Sequence, residues 1–171
     1  MTSTDIVTAA GIIDCMNIAL GYAEMLTADL TEEQFGHMPH AEMNHPAFIL
    51  GHLGLTADGA LKTLGRADLA EERPKYEDLF QAGVKCVEQD GRYPGKDEML
   101  AYYLDRHRVV GGVVGELDDA ALAAPNPSAD RLREMIPTLG GYVNFLLNGH
   151  QMAHLGQISA WRRAVGLPGV L

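Results

Sequence analysis

His150 and His154 stand four residues apart in GHQMAHLGQI, a spacing that puts both imidazoles on one face of a helix. A third histidine, His52, lies in HPAFILGHL, a second apolar segment far earlier in the chain. Imidazoles brought together in an apolar interior must be mostly neutral, because protonated rings would repel one another and lose their hydration. A neutral imidazole keeps one lone pair, so three that converge make a preformed site for a borderline cation. Zn²⁺ binds such nitrogens at about 2.0–2.1 Å, and three protein ligands leave a fourth position for water or substrate. Ni²⁺, Fe²⁺ and Cu²⁺ accept nitrogen as well. The pair is not a zincin motif: HExxH needs a glutamate after its first histidine, and here that position is Gln151. A metalloprotease is therefore excluded.

The segments that carry these histidines are unusual in charge. The chain has 171 residues, 13 Lys+Arg against 23 Asp+Glu, and a net charge of −10. Its longest runs without Asp, Glu, Lys or Arg are Met43–Ala57 and Met135–Trp161, and they hold His45, His52, His150 and His154. The second run is long enough for a membrane span, but Pro137, Asn144, Asn148, Gln151 and Gln157 are too polar for hydrocarbon. A helix buried on most sides is the expected alternative. With 47% hydrophobic and 21% charged residues, the composition is globular. The acidic balance, with no run of Lys/Arg to offset it, makes nucleic acid a poor expectation as a partner. Cys15 and Cys86 form no CxxC pair and suit free thiols in a reducing cytoplasm. The N-terminal MTSTDIVTAAG lacks the basic start of a signal peptide.

The elements that must position the histidines follow the helical period throughout. A first helix is expected from about Thr4 to Asp29, with Ile6, Ala10, Ile13, Asn17, Leu20 and Ala23 on one stripe. Thr31 then caps a short helix whose acids fill the first turn and whose Phe35 is the anchor. Pro46 opens a second long helix that Gly65 ends. Gly65 to Pro94 is broken chain with a helical turn at Tyr76–Phe80, suited to a crossover or a flap near a site. A third helix spans Asp97 to Leu117, and its Gly111, Gly112 and Gly115 suggest close approach of a neighbour. After a connector from Asp118 to Ile136, a fourth helix runs from Pro137–Thr138 to Gly166, with Leu139, Val143, Leu146, His150, His154, Gln157 and Trp161 facing inward. The expectation is an all-α, single-domain chain (residues 1–171): a four-helix bundle with a long crossover between helices 2 and 3.

Other polar residues on these stripes have more ordinary readings. His45, before Pro46, suits a cap or the surface, and His37 and His40 suit solvent. His107 reads as core packing, a hydrogen bond behind the ligands, or a fourth ligand. Asn17 needs a partner: an interhelical hydrogen bond remote from the chemistry, Gln157, or a metal-bound water. Tyr103 could aim its hydroxyl at the pocket or simply pack.

HPAFILGHL (His45–Leu53), Leu79-Phe80, LDDAAL (Leu117–Leu122), HQMAHLGQI (His150–Ile158) and WRRAVGLPG (Trp161–Gly169), in this order and spacing, resemble the DinB-like (YfiT-like) superfamily. That resemblance implies a metal-binding four-helix bundle with a long crossover. It also implies a histidine triad for Zn²⁺ or Ni²⁺, carried here by His52, His150 and His154, and a homodimer in many relatives. Thiol-dependent S-transferases and a maleylpyruvate isomerase are among the activities it implies. The chain is therefore expected to be a metal-dependent enzyme acting on a small molecule, with a low-molecular-weight thiol or water as nucleophile. The alternative is a non-catalytic metal-binding module used for structure or dimerisation.

Overall fold

A computed structural model of the chain describes residues 7–128 and 130–171. Thr8 caps the first long helix, α1 (Ala9–Thr27), with its hydroxyl accepting from the Gly11 N–H at 3.2 Å. The expected start at Thr4 and the stripe residue Ile6 lie outside the described residues. Thr31 and Gln34 cap α2 (Glu32–Phe35) reciprocally, each side chain meeting the other's backbone N–H, and Phe35 is buried. Pro46 sits in the first turn of α3 (Pro46–Thr63), and Gly65 leaves it with φ +74°, a conformation that costs glycine little.

The crossover holds a 3₁₀ turn (Ala67–Leu69) and α4 (Pro74–Phe80). Then come α5 (Lys96–Gly115), α6 (Asp119–Leu122) and α7 (Asp130–Met135). The last long rod is composite: α8 (Leu139–Asn144), a π-helical turn (Phe145–His150) and α9 (Gln151–Ala164), with helical backbone angles at both junctions. No strand occurs among the described residues, only an isolated bridge between Pro125 and Thr138. The chain is all-α.

The long rods touch in a ring: α3 on α5, α5 on α1, α1 on α9, and α9 back on α3. What α1 buries is Ile12, Met16, Ala19, Leu20, Ala23 and Leu26. Of the expected stripe Leu20 and Ala23 are buried, but its earlier part is turned away, since Ala10 and Asn17 are exposed and Ile13 is half-buried. An apolar helix offers two faces of the same period, and the neighbour decides between them. Here Gly111 of α5 decides: a Cβ on it would stand 2.6 Å from Met16 Cε. Gly112, by contrast, has open space around it and marks no contact. By length and composition α1 could cross a membrane; in this fold its buried face is core.

The C-terminal turn is fastened by two buried side chains. Trp161 donates its indole N–H to the His37 carbonyl at 2.8 Å. Arg162, 1% exposed, donates to the Leu26 and Pro168 carbonyls and pairs with Asp29, so its charge is fully used.

Two α3 glycines serve as seats for aromatic rings. A Cβ at Gly51 would lie 2.5 Å from the Phe80 ring, and one at Gly54 would lie 2.4 Å from Tyr102. Tyr102 cannot swing aside easily, because its hydroxyl donates to buried Asp58 at 2.7 Å. Asp58 also accepts from the Glu71 N–H at 3.0 Å and from Arg106 at 3.4 Å, which ties the crossover to α3 and α5. Gly54→Ala should therefore destabilise the protein by roughly 1–3 kcal/mol despite alanine's better helix propensity. Gly59→Ala, on the same helix with nothing near its Cβ position, should stabilise it by up to about 1 kcal/mol. Urea unfolding of the two variants checks the pair.

Candidate metal centre

His52 reaches the site from the middle of α3, and His150 and His154 reach it from the end of the π turn and the first turn of α9. The rings gather closely. Their centroids are 4.8 Å apart for His52–His154, 5.4 Å for His52–His150 and 4.6 Å for His150–His154. One ligand atom from each lies within 4.8 Å of the others, a group that could hold a metal ion. All three rings are half-buried. The fully buried face of the rod runs through Val143, Leu147, Gln151, Leu155 and Ile158, so the histidines line its flank towards α3.

The orientation of His52 is fixed by the crossover. Its Nδ1 lies 2.8 Å from the Phe80 carbonyl oxygen, which can only accept, so the proton is on Nδ1 and the Nε2 lone pair is free. Phe80 can come this close because Gly51 leaves room for its ring. His150 and His154 differ: the Nδ1 of each is buried without any hydrogen-bond partner. Orphaned buried nitrogens cost free energy unless something takes them up. A cation fits this donor set, which offers three imidazole nitrogens and no acid among them.

Charge at the site is suppressed by burial. Desolvation, helped by the neighbouring His52 and by His107, holds His150 down at about 4. Desolvation with His150 and His52 does the same to His154, also at about 4. At neutral pH both rings are uncharged, as ligation requires.

The widened turn ahead of His150 was not expected from the sequence, which reads as one uninterrupted helix. Six residues cannot distinguish a 3.6-residue period from a π turn. Only the buried positions at 143, 147, 151 and 155, spaced by fours, betray it. Such turns recur at functional sites. Asn148, within this one, donates to Asn144 at 2.8 Å and to the Ile12 carbonyl at 3.3 Å, which holds the turn against α1.

Over the triad, the Gln81–Val84 turn faces Asn44 and Phe48 across a cavity of about 260 Å³ that His52 and His154 also line. The crossover thus reaches the site, as its irregular sequence suggested. Asn44 and this turn are site residues that sequence reasoning missed, since no motif marks them.

The other histidines are accounted for. His45 is the α3 cap: Nδ1 accepts from the Phe48 N–H at 3.1 Å and Nε2 donates to the Val87 carbonyl at 3.0 Å. It is fully buried, which excludes the surface reading. His107, 2% exposed, bonds through Nδ1 to the Tyr103 carbonyl at 2.8 Å and stands outside the group of three. His37 pairs with Glu88 at 2.9 Å at the surface, and His40 is exposed. Asn17 meets neither Gln157 nor the site; it faces solvent, and Gln157 accepts from Asn44 at 3.1 Å instead. Tyr103 is fully buried core, its ring 4.6 Å from that of His107 and its hydroxyl unpartnered.

A family model of the DinB superfamily matches residues 19–158. The chain belongs to the DinB superfamily. The match takes in His52, His150 and His154 and stops short of Trp161, so the WRRAVGLPG ending lies outside it. No curated protein compared with this DinB-superfamily chain matches it.

Burial also depresses His45 and His107 to about 4, desolvation being the main cause in each. Folded values near 4 lie below the ordinary 6.5, so the unfolded chain takes up protons first. Stability of the metal-free protein should therefore be complete above about pH 6.5 and fall as the pH drops towards about 4. Fully buried His107 alone accounts for up to about 3 kcal/mol of this. Urea midpoints of chelator-treated protein between pH 7.5 and 4.5 measure it, and a flat profile would contradict it.

Proposed function

We propose that His52, His150 and His154 bind a divalent metal, Zn²⁺ or Ni²⁺ by their donor set, and that the site activates a small thiol or a water for reaction with a small-molecule electrophile. The observation that carries this reading is the convergence of three imidazole donors within 4.8 Å of one another. When bound, the ion supplies Lewis acidity that brings the pKa of a coordinated thiol or water towards neutrality.

The chain's own residues do the rest. The Phe80 carbonyl holds the His52 proton on Nδ1 and so keeps Nε2 available as a donor. Phe48 and Val84 give the cavity apolar walls that limit water around a reacting group. No Asp or Glu lines this cavity, which supports ionisation of the nucleophile, thiol or water, by the metal rather than by a carboxylate base.

A second reading, a non-catalytic metal module, is supported by two apolar side chains on the outer face of α1, Ile18 and Met25, 68% and 44% exposed. The free thiols of Cys15 and Cys86 support a cytoplasmic setting for either reading.

Elemental analysis of untagged protein should find about one equivalent of metal, and His150→Ala should lose it. Metal at a hundred times its Kd should stabilise the wild type by about 2.7 kcal/mol, seen as a rise of several degrees in Tm. Turnover of a haloaromatic acceptor with any of several thiols, above that of the metal-free protein, identifies the enzyme. A Tm rise with no turnover identifies the module. A metal-free chain whose Tm ignores added metal overturns both.

A further inference from the structure

The crossover between α3 and α5 is tied down near its start, middle and end, and the middle tie is made by a candidate metal ligand. Near its start, buried Asp58 of α3 accepts from the Glu71 N–H at 3.0 Å. Buried Arg106 of α5 pairs with Asp58 and donates to the Leu69 carbonyl at 2.9 Å. In the middle, His52 bonds to the Phe80 carbonyl at 2.8 Å, and near the end His45 bonds to the Val87 carbonyl at 3.0 Å. Between those two bonds, residues 82–85 form no hydrogen bond to α3 or α9 among the described residues, although 82–84 wall the cavity over His52 and His154.

A continuous run of buried rings joins the start to the middle. Tyr102 donates its hydroxyl to Asp58 at 2.7 Å and meets Tyr76 with ring centroids 5.1 Å apart; Tyr76 in turn meets Phe80 at 5.4 Å. The Arg73 guanidinium lies over both tyrosines, 4.9 Å from the Tyr76 ring and 4.7 Å from that of Tyr102. Close-packed groups pass a displacement on rather than absorb it, so a shift of Tyr102 moves Phe80, whose carbonyl orients His52. Buried ion pairs often add no stability over apolar packing of the same volume, so stability alone is a weak reason for a buried charge at Asp58.

We infer that Asp58 is a positioning residue of the metal centre, acting through these rings, so that occupancy of the site and closure of the 81–85 turn strengthen each other. The inference rests on the metal reading above. Its physical basis is the bond from His52 to Phe80. A cation held on Nε2 draws charge from the ring and makes Nδ1–H a charge-assisted donor, about twice as strong as a neutral one. Whatever holds the Phe80 carbonyl in place then favours the ion, and the ion favours the closed crossover by the same factor.

The test measures Zn²⁺ affinity on untagged full-length protein against a competing chelator. Opening of the turn is read as the rate at which trypsin cuts after exposed Lys85, resolved from other cuts by mass spectrometry. Saturating Zn²⁺ should slow that cut about five- to tenfold in the wild type, the lower end of ordinary coupling between two sites, and His52→Ala should abolish the protection. Asp58→Asn should weaken Zn²⁺ binding by a similar factor and speed the cut in metal-free protein. Tyr102→Phe keeps the ring and removes only the hydroxyl; it should do both more mildly, and it decides the matter if Asp58→Asn does not fold. Leu26→Ala, a core truncation in α1, should lower the urea midpoint while leaving the Zn²⁺ affinity of the folded protein unchanged. Three results overturn the inference: a Zn²⁺ affinity unchanged in every folded variant at Asp58 and Tyr102, an equal loss in Leu26→Ala, or a cut after Lys85 that Zn²⁺ does not slow. A wild type that takes up no Zn²⁺ strikes the metal reading itself.

Discussion

Three imidazoles can meet at one point in a charge-poor interior only while most of them stay uncharged, and the organisation of this protein follows from that restriction. Both long charge-free runs of the sequence end up facing each other across the site, on α3 and on the composite α8–α9 rod. Burial holds His150 and His154 near 4, far enough below neutrality that lone pairs rather than charges face inward. The same desolvation that keeps these rings uncharged penalises every proton the folded state takes up, so the metal-free protein should lose stability in acid.

Orientation is then supplied by backbone. The Phe80 carbonyl sets the tautomer of His52, and it stands where it does because Gly51 admits the ring to the surface of α3. Gly54 does the same for Tyr102, whose bond to Asp58 fastens the crossover at its other end. Long irregular crossovers are entropically expensive to order. Here the ordering is spread over aromatic seats and buried polar ties, and its product is one correctly turned imidazole beneath the Gln81–Val84 turn. On the opposite rod, the π turn and the Asn144–Asn148 pair present His150 at the point where helical geometry departs from the ordinary.

Much of this was legible in the residues. The helix limits at Thr31, Pro46 and Gly65 follow from capping and proline chemistry, which are local and leave a clear mark. The clustering of His52, His150 and His154 was readable from their spacing and from the absence of charge around them. The rotation of α1 was not, because Ile12 and Ile13 are equally apolar and only Met16 against Gly111 breaks the tie. Nor was the fate of Asn17, which depends on that rotation. The hydrogen bond from His52 is made to a peptide carbonyl, which no side-chain pattern can announce. The Asn44–Gln157 contact joins residues far apart in sequence and of unremarkable type, so it emerges only from the packing of α9 on the loop before α3.

X-ray absorption at the metal edge of the loaded, untagged protein addresses the central claim most directly, because it counts ligands at the ion itself. Three imidazole nitrogens at about 2.0–2.1 Å, falling to two in His52→Ala, are the result expected of a zinc-loaded site built from α3 and α9 together. A coordination shell dominated by oxygen or sulfur, or one unchanged when His52 is removed, would contradict it.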